Sequence, residues 1–237
     1  MSRLSTLLDG RRRRLLVSAA TAVLALGGIG AVTVGLTSQN SAPAPAAASG
    51  GDQIPGAIAP RPSDRTEPAP TTKAQPDAPT LPAAPPTAIS IPTIGVQSSM
   101  ITLGQNPDGT MEVPQPGPDY DKTGWYKHSP TPGELGPSVI AGHVDSAEKG
   151  PSVFFRLGAM QAGDQVSVTR ADGTVAEFTV DRVEQYEKDQ FPTLDVYGNT
   201  DTAQLRLITC GGEFDDQTDN YLDNIVVYAH FTGSDKT

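Results

Sequence analysis

The sequence predicts an all-β domain, a barrel or a sandwich of about eight short strands, that begins near Thr87. Apolar and polar residues alternate over short stretches, and Gly, Pro, Asn and Asp separate these stretches at close intervals. Helical periodicity is almost absent from the same region, so helices should be few and short. The predicted strands cover residues 88–91, 96–103, 111–113, 138–141, 165–169, 175–183, 205–209 and 225–231.

A basic segment and a long apolar run precede this domain. Residues 11–14 are four arginines, and the 22 residues from 15 to 36 carry no charge. A helix of that length spans about 33 Å, enough to cross the hydrocarbon core of a membrane. The arginines should stay in the cytoplasm, so residues 1–14 are predicted to be cytoplasmic and 15–36 to be a transmembrane anchor. The alternative is a signal peptide cleaved near residues 44–46, but the run is longer than a usual signal-peptide core.

A proline-rich stretch connects the predicted anchor to the predicted domain. Residues 37–86 contain 12 of the chain's 22 prolines and no aromatic residue. Such a composition cannot bury enough apolar surface to offset the entropy of ordering. We therefore expect a disordered stalk that lifts the domain away from the membrane, or a tether without a length requirement.

Charge and cysteine content exclude several functions. The formal net charge is −10, and residues 1–36 carry +4 of it (five arginines and one aspartate), which leaves −14 for the remainder. Such an acidic domain argues against nucleic acid as a partner. One cysteine allows neither an intramolecular disulfide nor a multi-thiolate zinc site, and the three histidines lack metal-ligand spacing, so no metal or other cofactor is predicted.

Cys210 is the first candidate for chemistry. It follows the apolar strand predicted at 205–209, and Gly211 and Gly212 come directly after it. We expect the strand to end at Cys210, where a thiol beside flexible backbone is well placed to act as a nucleophile. The alternatives are a small buried apolar side chain or an intermolecular disulfide.

His143 is the best candidate for a basic partner. It follows the strand predicted at 138–141, so it also lies at a strand end. A Cys–His pair can work as a thiolate–imidazolium couple, or with the histidine as general base and then general acid. Asp145 could orient the imidazole ring or could cap a turn.

Two further side chains are candidates for stabilising an oxyanion. Positions 206, 208 and 210 share one face of a strand, so Arg206 should point to the same side as Cys210. There it could bind a substrate carbonyl, or it could form a salt bridge with an acidic residue. Asn224, at the start of the last predicted strand, could offer an amide donor near the same place.

Three motifs carry a resemblance to a known family. The sequences AGHVDS at 141–146, LRLITCGG at 205–212 and YLDNIVVYAHF at 221–231, behind an anchor and a proline-rich stretch, resemble sortases. The glycine pair after the cysteine resembles the class F sortases of actinobacteria. The resemblance covers residues 87–232 and leaves 233–237 as a tail. It implies a closed eight-stranded β-barrel with short helices and a membrane-anchored cysteine transpeptidase with an extracellular catalytic domain.

The resemblance also implies the chemistry and the partners. Sortases recognise a C-terminal sorting signal of the Leu-Pro-x-Thr-Gly type on surface proteins. Carried over by motif, Cys210 attacks the Thr carbonyl to form a thioester, and His143 is the general acid and base. An amine of the peptidoglycan precursor then resolves the thioester. If water resolves it instead, the protein is a cysteine protease; if Cys210 is only buried, it is a wall-associated binding module.

The family's third catalytic residue is an arginine on the last strand, and this chain departs from that pattern. Asn224 or Leu222 takes its place, depending on the alignment. The resemblance therefore leaves the oxyanion to Arg206, to Asn224 or to backbone N–H groups beside the nucleophile. We favour Arg206 for that role, and we expect Asn224, Thr209 and Gly211 to contact the substrate.

Overall fold

The structure, a computed structural model, describes residues 41–46 and 79–236 of the chain. The predicted cytoplasmic segment, the predicted anchor and most of the predicted stalk lie outside these residues. No helix within them is both long and apolar enough to cross a membrane. The strands are β1 (Pro86–Ile91), β2 (Val96–Leu103), β3 (Thr123–Tyr126), β4 (Gly136–Ala141), β5 (Asp145–Ser146), β6 (Gly150–Pro151), β7 (Gln165–Arg170), β8 (Thr174–Glu187), β9 (Ala203–Asp215) and β10 (Asn220–Lys236). One short α-helix, α1 (Thr193–Tyr197), and three 3-10 turns (Pro92–Ile94, Leu157–Ala159 and Lys188–Gln190) complete the described elements.

Eight of these strands form a closed barrel in the order β1-β2-β3-β4-β9-β10-β8-β7, and β1 pairs with β7 to close it. The pairs β2–β3 and β4–β9 are parallel, whereas the other barrel pairs are antiparallel. Strands β5 and β6 pair separately. The prediction of an all-β domain with eight strands is confirmed, and the structure selects the barrel over the sandwich.

One barrel strand differs from the prediction. The stretch around Met111 makes only an isolated bridge to Gln105, and Thr123–Tyr126 is the barrel strand instead. The sequence does not indicate strand β3, because the strand has only four residues and one of them is a glycine, which has low strand propensity. The glycine is required there by close packing, since a Cβ atom on Gly124 would lie 2.4 Å from Cγ of Leu103.

Strand β9 contributes to two separate clusters of buried side chains. Leu205 and Leu207 pack inside the barrel, whereas Ile208 packs on the outer side against Val196 of α1. Each such side chain contributes about 1.5–3 kcal/mol through burial. Because side chains alternate along a strand, Cys210 shares the outer side with Ile208.

The packed chain begins earlier than predicted. The N–H of Leu81 donates to the carbonyl of Gly133 at 2.7 Å, and the buried guanidinium of Arg170 donates to the carbonyl of Pro82. Residues 81 and 82, which belong to the predicted stalk, therefore contact the folded domain. Proline-rich composition does not reveal these contacts, because they use backbone atoms and a partner distant in sequence.

The prediction that the strand at 205–209 ends at Cys210 is wrong. Strand β9 runs through both glycines to Asp215, and its register with β10 shifts between Tyr221 and Asp223. Two residues of β9 oppose one of β10 at this shift, which is a β-bulge. Gly212 has a φ of 76° in the bulge, a left-handed conformation that favours glycine. The bulge at the glycine pair therefore changes the direction of β9 directly after Cys210.

Gly212→Ala should destabilise the fold by about 1–3 kcal/mol, because alanine is strained at this φ and its Cβ would meet Asp223. The new Cβ would lie 2.2 Å from Oδ2 and 2.9 Å from Cβ of Asp223. Urea denaturation of the full-length chain measures the loss. Gly95→Ala is the matched control, because Gly95 has a similar φ of 72° with no atom within 4 Å of the added Cβ. Equal losses in the two variants would contradict the contact with Asp223.

Candidate active site

The parallel ladder of β4 and β9 brings His143 and Cys210 to the same end of the barrel. Every residue of β4 pairs with the residue 67 positions later in β9. The last pair is Ala141 with Ile208, and the N–H of Gly142 extends the ladder by donating to the Ile208 carbonyl at 3.2 Å. His143 and Cys210 are also 67 positions apart (210 − 143 = 67). Each therefore lies two residues beyond the last pair, with Cys210 on β9 and His143 just after the end of β4.

Both side chains line one cavity of about 1070 Å³ on the outer side of the sheet. Aromatic and apolar side chains form much of its wall, together with a few polar groups. This composition is typical of a site for an organic ligand, and the volume suits a short peptide. The apolar part of the wall includes Met111, Val113, Tyr126, Phe191, Tyr197, Ile208 and Phe214.

Cys210 is a free thiol, partly exposed to this cavity. Its partner on β10 is Asn224, and cross-strand neighbours have Cβ atoms about 4.5–5.5 Å apart. A thiol that faces a cavity lined by a histidine differs from a small apolar side chain in a core. Its surroundings favour the nucleophile over the buried side chain.

The imidazole of His143 is held from two sides by the segment between β2 and β3. Its Nε2 lies 2.7 Å from the carbonyl oxygen of Pro114. A carbonyl oxygen only accepts hydrogen bonds, so Nε2 carries a proton and donates it. The ring also stacks on Tyr120, with centroids 4.1 Å apart and planes inclined by 7°. When His143 is neutral, its basic nitrogen is therefore Nδ1.

Asp145 binds two tyrosines of the cavity wall. Its carboxylate Oδ2 accepts from the Tyr221 hydroxyl at 2.5 Å, and its backbone carbonyl accepts from the Tyr120 hydroxyl at 2.9 Å. No hydrogen bond joins it to His143 among the described residues, so Asp145 does not orient the ring directly. Burial and the charge of Asp145 raise the pKa of Tyr120, and burial and the hydrogen bond to Asp145 raise the pKa of Tyr221. Both hydroxyls therefore remain protonated donors at neutral pH.

Arg206 lies on the predicted face of β9 but does not line the cavity. It is buried, donates to Leu205 O at 3.1 Å and Gln204 Oε1 at 2.6 Å, and lies 4.5 Å above the Tyr228 ring. Burial lowers the pKa of Arg206 to about 10, so it stays charged at neutral pH. Its guanidinium is turned away from Cys210, four residues or about 13 Å along the strand. The structure therefore does not bring Arg206 together with the Cys–His pair, and no described carboxylate is within salt-bridge distance of it.

Only some of the other predicted contact residues line the cavity. Asn224 lines the cavity, and its amide makes no hydrogen bond with another described residue. Thr209 lines it too, with a buried Oγ1 that has no described partner. Gly211 lies against Ile225 and does not line the cavity. Leu222, the alternative position for the family arginine, is 47% exposed beside the bulge and lies outside the cavity.

Sequence reasoning missed several groups of this cavity. Pro114, Tyr120 and Tyr221 lie far from His143 in sequence, so no local spacing could indicate them. Lys188 is the one lysine or arginine among the described residues that line the cavity, and its Nζ donates to Asn220 Oδ1 at 2.7 Å. Within the described part of the chain, no group of three or more His, Cys, Asp or Glu side chains is arranged to hold a metal ion.

Comparison with protein families decides which kind of Cys–His site this is. A model of the sortase domain matches residues 89–232, which is more than half of the chain. The chain belongs to the sortase family. As a sortase it is a cysteine transpeptidase, so it is an enzyme and not the non-catalytic binding module considered above. Its family implies substrates that are surface proteins with sorting signals, or pilins.

Solved sortase structures resemble this sortase at low sequence identity. Sortase A from Listeria monocytogenes is 19% identical, with 66% of this chain and 92% of that chain covered and a TM-score of 0.47. Sortase A from Corynebacterium diphtheriae is 23% identical, with 63% and 62% covered and a TM-score of 0.47. The pilus-related sortase C of Group B Streptococcus is 17% identical, with 65% and 70% covered and a TM-score of 0.48. No curated protein sequence matches this sortase.

Proposed function

We propose that this sortase cleaves a Leu-Pro-x-Thr-Gly-like sorting signal through a thioester on Cys210 and joins the surface protein to an amine of the cell-wall precursor. The observation that carries this proposal is the pairing of β4 with β9. It delivers a thiol and an imidazole to one cavity of peptide size. The apolar wall suits the leucine and proline of such a signal, because apolar side chains gain free energy when they leave water.

The first half of the reaction forms the thioester. The Cys210 thiolate attacks the carbonyl carbon of the signal threonine, and the negative charge moves to the carbonyl oxygen. The bond to the glycine nitrogen then breaks, and His143 donates a proton to the departing amine. The product is an acyl thioester on Sγ, with the C-terminal peptide released.

The second half transfers the acyl group. The incoming amine attacks the thioester carbonyl carbon, and His143 accepts the proton that the amine loses. The carbon–sulfur bond breaks and restores the thiolate, so the Cys–His pair returns to its starting charge state. Water in place of the amine would complete hydrolysis by the same steps.

Asn224 is proposed to donate to the carbonyl oxygen in both halves, because it is paired across the sheet with Cys210 and its amide is not engaged by another described residue. Asn224→Ala should lower kcat/KM by about 10²-fold, the usual cost of losing one oxyanion donor. Steady-state kinetics with a peptide substrate measure the change. Asn199→Ala, an exposed asparagine outside the cavity, is the control and should keep wild-type kinetics. Unchanged kcat/KM in the Asn224 variant would assign the donor role to other groups.

The finer identity is part of the same proposal. The glycine pair after the cysteine supports a class F sortase, and the uncharged run at 15–36 behind four arginines supports a single-pass membrane anchor with the barrel outside the cell. Fractionation of cells that express the full-length chain tests the anchor. The chain should stay in the membrane after an alkaline wash, and a variant without residues 15–36 should not.

The reaction itself is tested with the full-length chain in detergent micelles and a fluorogenic Leu-Pro-x-Thr-Gly peptide, with and without an added amine. Mass spectrometry should find an acyl adduct on Cys210, and the amine should divert product from acid to amide. An adduct that only hydrolyses, whichever amine is supplied, would favour the protease. Absence of any adduct, with a Cys210 that reacts with iodoacetamide only after unfolding, would overturn the proposed role of Cys210.

A further inference from the structure

We propose that the β2–β3 loop, defined as residues 104–122, is a clamp that fixes the tautomer and orientation of His143, with Tyr120 as its positioning residue. The inference deepens the proposed function, because it assigns the proton transfers to one nitrogen of the ring. It rests on two contacts that the same loop makes with the imidazole, one in the ring plane and one on the ring face.

The in-plane contact is the hydrogen bond from Nε2 to the Pro114 carbonyl. Because this acceptor has no proton to give, the neutral ring is held as the Nε2–H tautomer. Nδ1 is then the nitrogen that can take the proton of Cys210. Once the ring is protonated, the Nε2–H bond to the carbonyl becomes charge-assisted and therefore stronger.

The face contact is the stack on Tyr120. Its parallel geometry restricts rotation of the imidazole about the Cβ–Cγ bond, and the tyrosine ring is itself fixed at its far end by the hydrogen bond to the Asp145 carbonyl. The stack therefore holds the plane of the imidazole in one orientation.

The loop is stiff enough to serve as a clamp. Pro114, Pro116 and Pro118 restrict its backbone between the two contacts. At its start, Glu112 Oε2 accepts from the N–H of Gly104 at 2.6 Å. At its end, the N–H of Lys122 donates to the Asp119 carbonyl at 3.1 Å. The entropic cost of immobilising the imidazole is therefore incurred mostly when the chain folds, before substrate binds.

The tautomer is tested by nitrogen NMR of the full-length chain with ¹⁵N in its histidine rings. His143 should show its neutral-state proton on Nε2, both in the wild type and in Cys210→Ala, where no thiol influences the ring. His230 of the same chain is the reference for the other tautomer. Its Nδ1 lies 2.6 Å from Asp181 Oδ1 and should carry the proton. A His143 proton on Nδ1 in both proteins would overturn the clamp. The measurement needs no turnover, so it stands apart from a failure of the proposed reaction.

The positioning role is tested by substitution of Tyr120. Tyr120→Leu should lower kcat by about 10- to 100-fold with KM changed less than about threefold, because a small misplacement of the base slows proton transfer. Its His143 signals should also show a mixture of both tautomers. Tyr120→Phe keeps the stack and should retain at least about a third of wild-type kcat. Glu148→Gln, an exposed residue outside both the loop and the cavity, is the control and should behave as wild type. A folded Tyr120→Leu with wild-type kcat, or with its whole loss in KM, would overturn the role.

Discussion

Replacing Cys210 with alanine is expected to abolish thioester formation and to lower transpeptidation by at least about 10⁴-fold. The chain has no second thiol to take over, since Cys210 is its only cysteine. The loss should be complete in a mass-spectrometric assay, with no acyl adduct at any time point. Thermal stability should change little, because the side chain is only partly buried and its loss leaves no closed cavity in the core.

The control for this variant is chemical modification of the wild type. Iodoacetamide should label Cys210 in the folded chain and remove activity in proportion to labelling, since the thiol faces the cavity. Transpeptidation that persists in Cys210→Ala would place the nucleophile elsewhere. A fully labelled but active enzyme would contradict the role equally.

Replacing His143 with alanine should lower kcat by about 10³-fold, within the range usually supplied by a general acid and base. The remaining rate should rise with pH through the neutral range, because the thiolate then forms only by losing its proton to solvent. Rates measured from pH 6 to 9 for the variant and the wild type check this difference in profile.

His230→Ala is the matched control for that prediction. His230 is 49% exposed, pairs with Asp181 and does not line the cavity, so its loss should leave both rate and pH profile unchanged. A His143 variant that is folded and retains more than about a tenth of wild-type kcat would contradict the acid–base role. So would a pH profile identical to that of the wild type.

The sequence was sufficient for the fold class and for most strands, because period-two alternation survives wherever one face of a strand is buried. The hairpin of β7 and β8, with its turn at 171–173, is a clear case. Strand β3 was not predicted because it is short and because its Gly124 is selected by contact with Leu103, a residue far away in sequence. The continuation of β9 through Gly211 and Gly212 was not predicted because a glycine pair is common in turns and equally suited to a bulge.

The active site was predictable only in part for a similar reason. His143 and Cys210 could be recognised because each closely follows its own apolar run of residues. Alternation also gave the correct face for Arg206, but it cannot say which way a long side chain bends along the strand. The contacts of Tyr120 with the imidazole depend on how a loop of 19 residues returns across the barrel, which no local pattern specifies.

The parallel ladder between β4 and β9 also has a consequence for the time at which the enzyme becomes reactive. Bringing two strands together across 67 residues costs roughly 4 kcal/mol of chain entropy, and such long-range pairings form late and slowly. A newly synthesised or refolding chain therefore passes through states in which the thiol has no imidazole beside it. Thiol activation, followed in real time, should then coincide with the final cooperative step of folding rather than with early collapse.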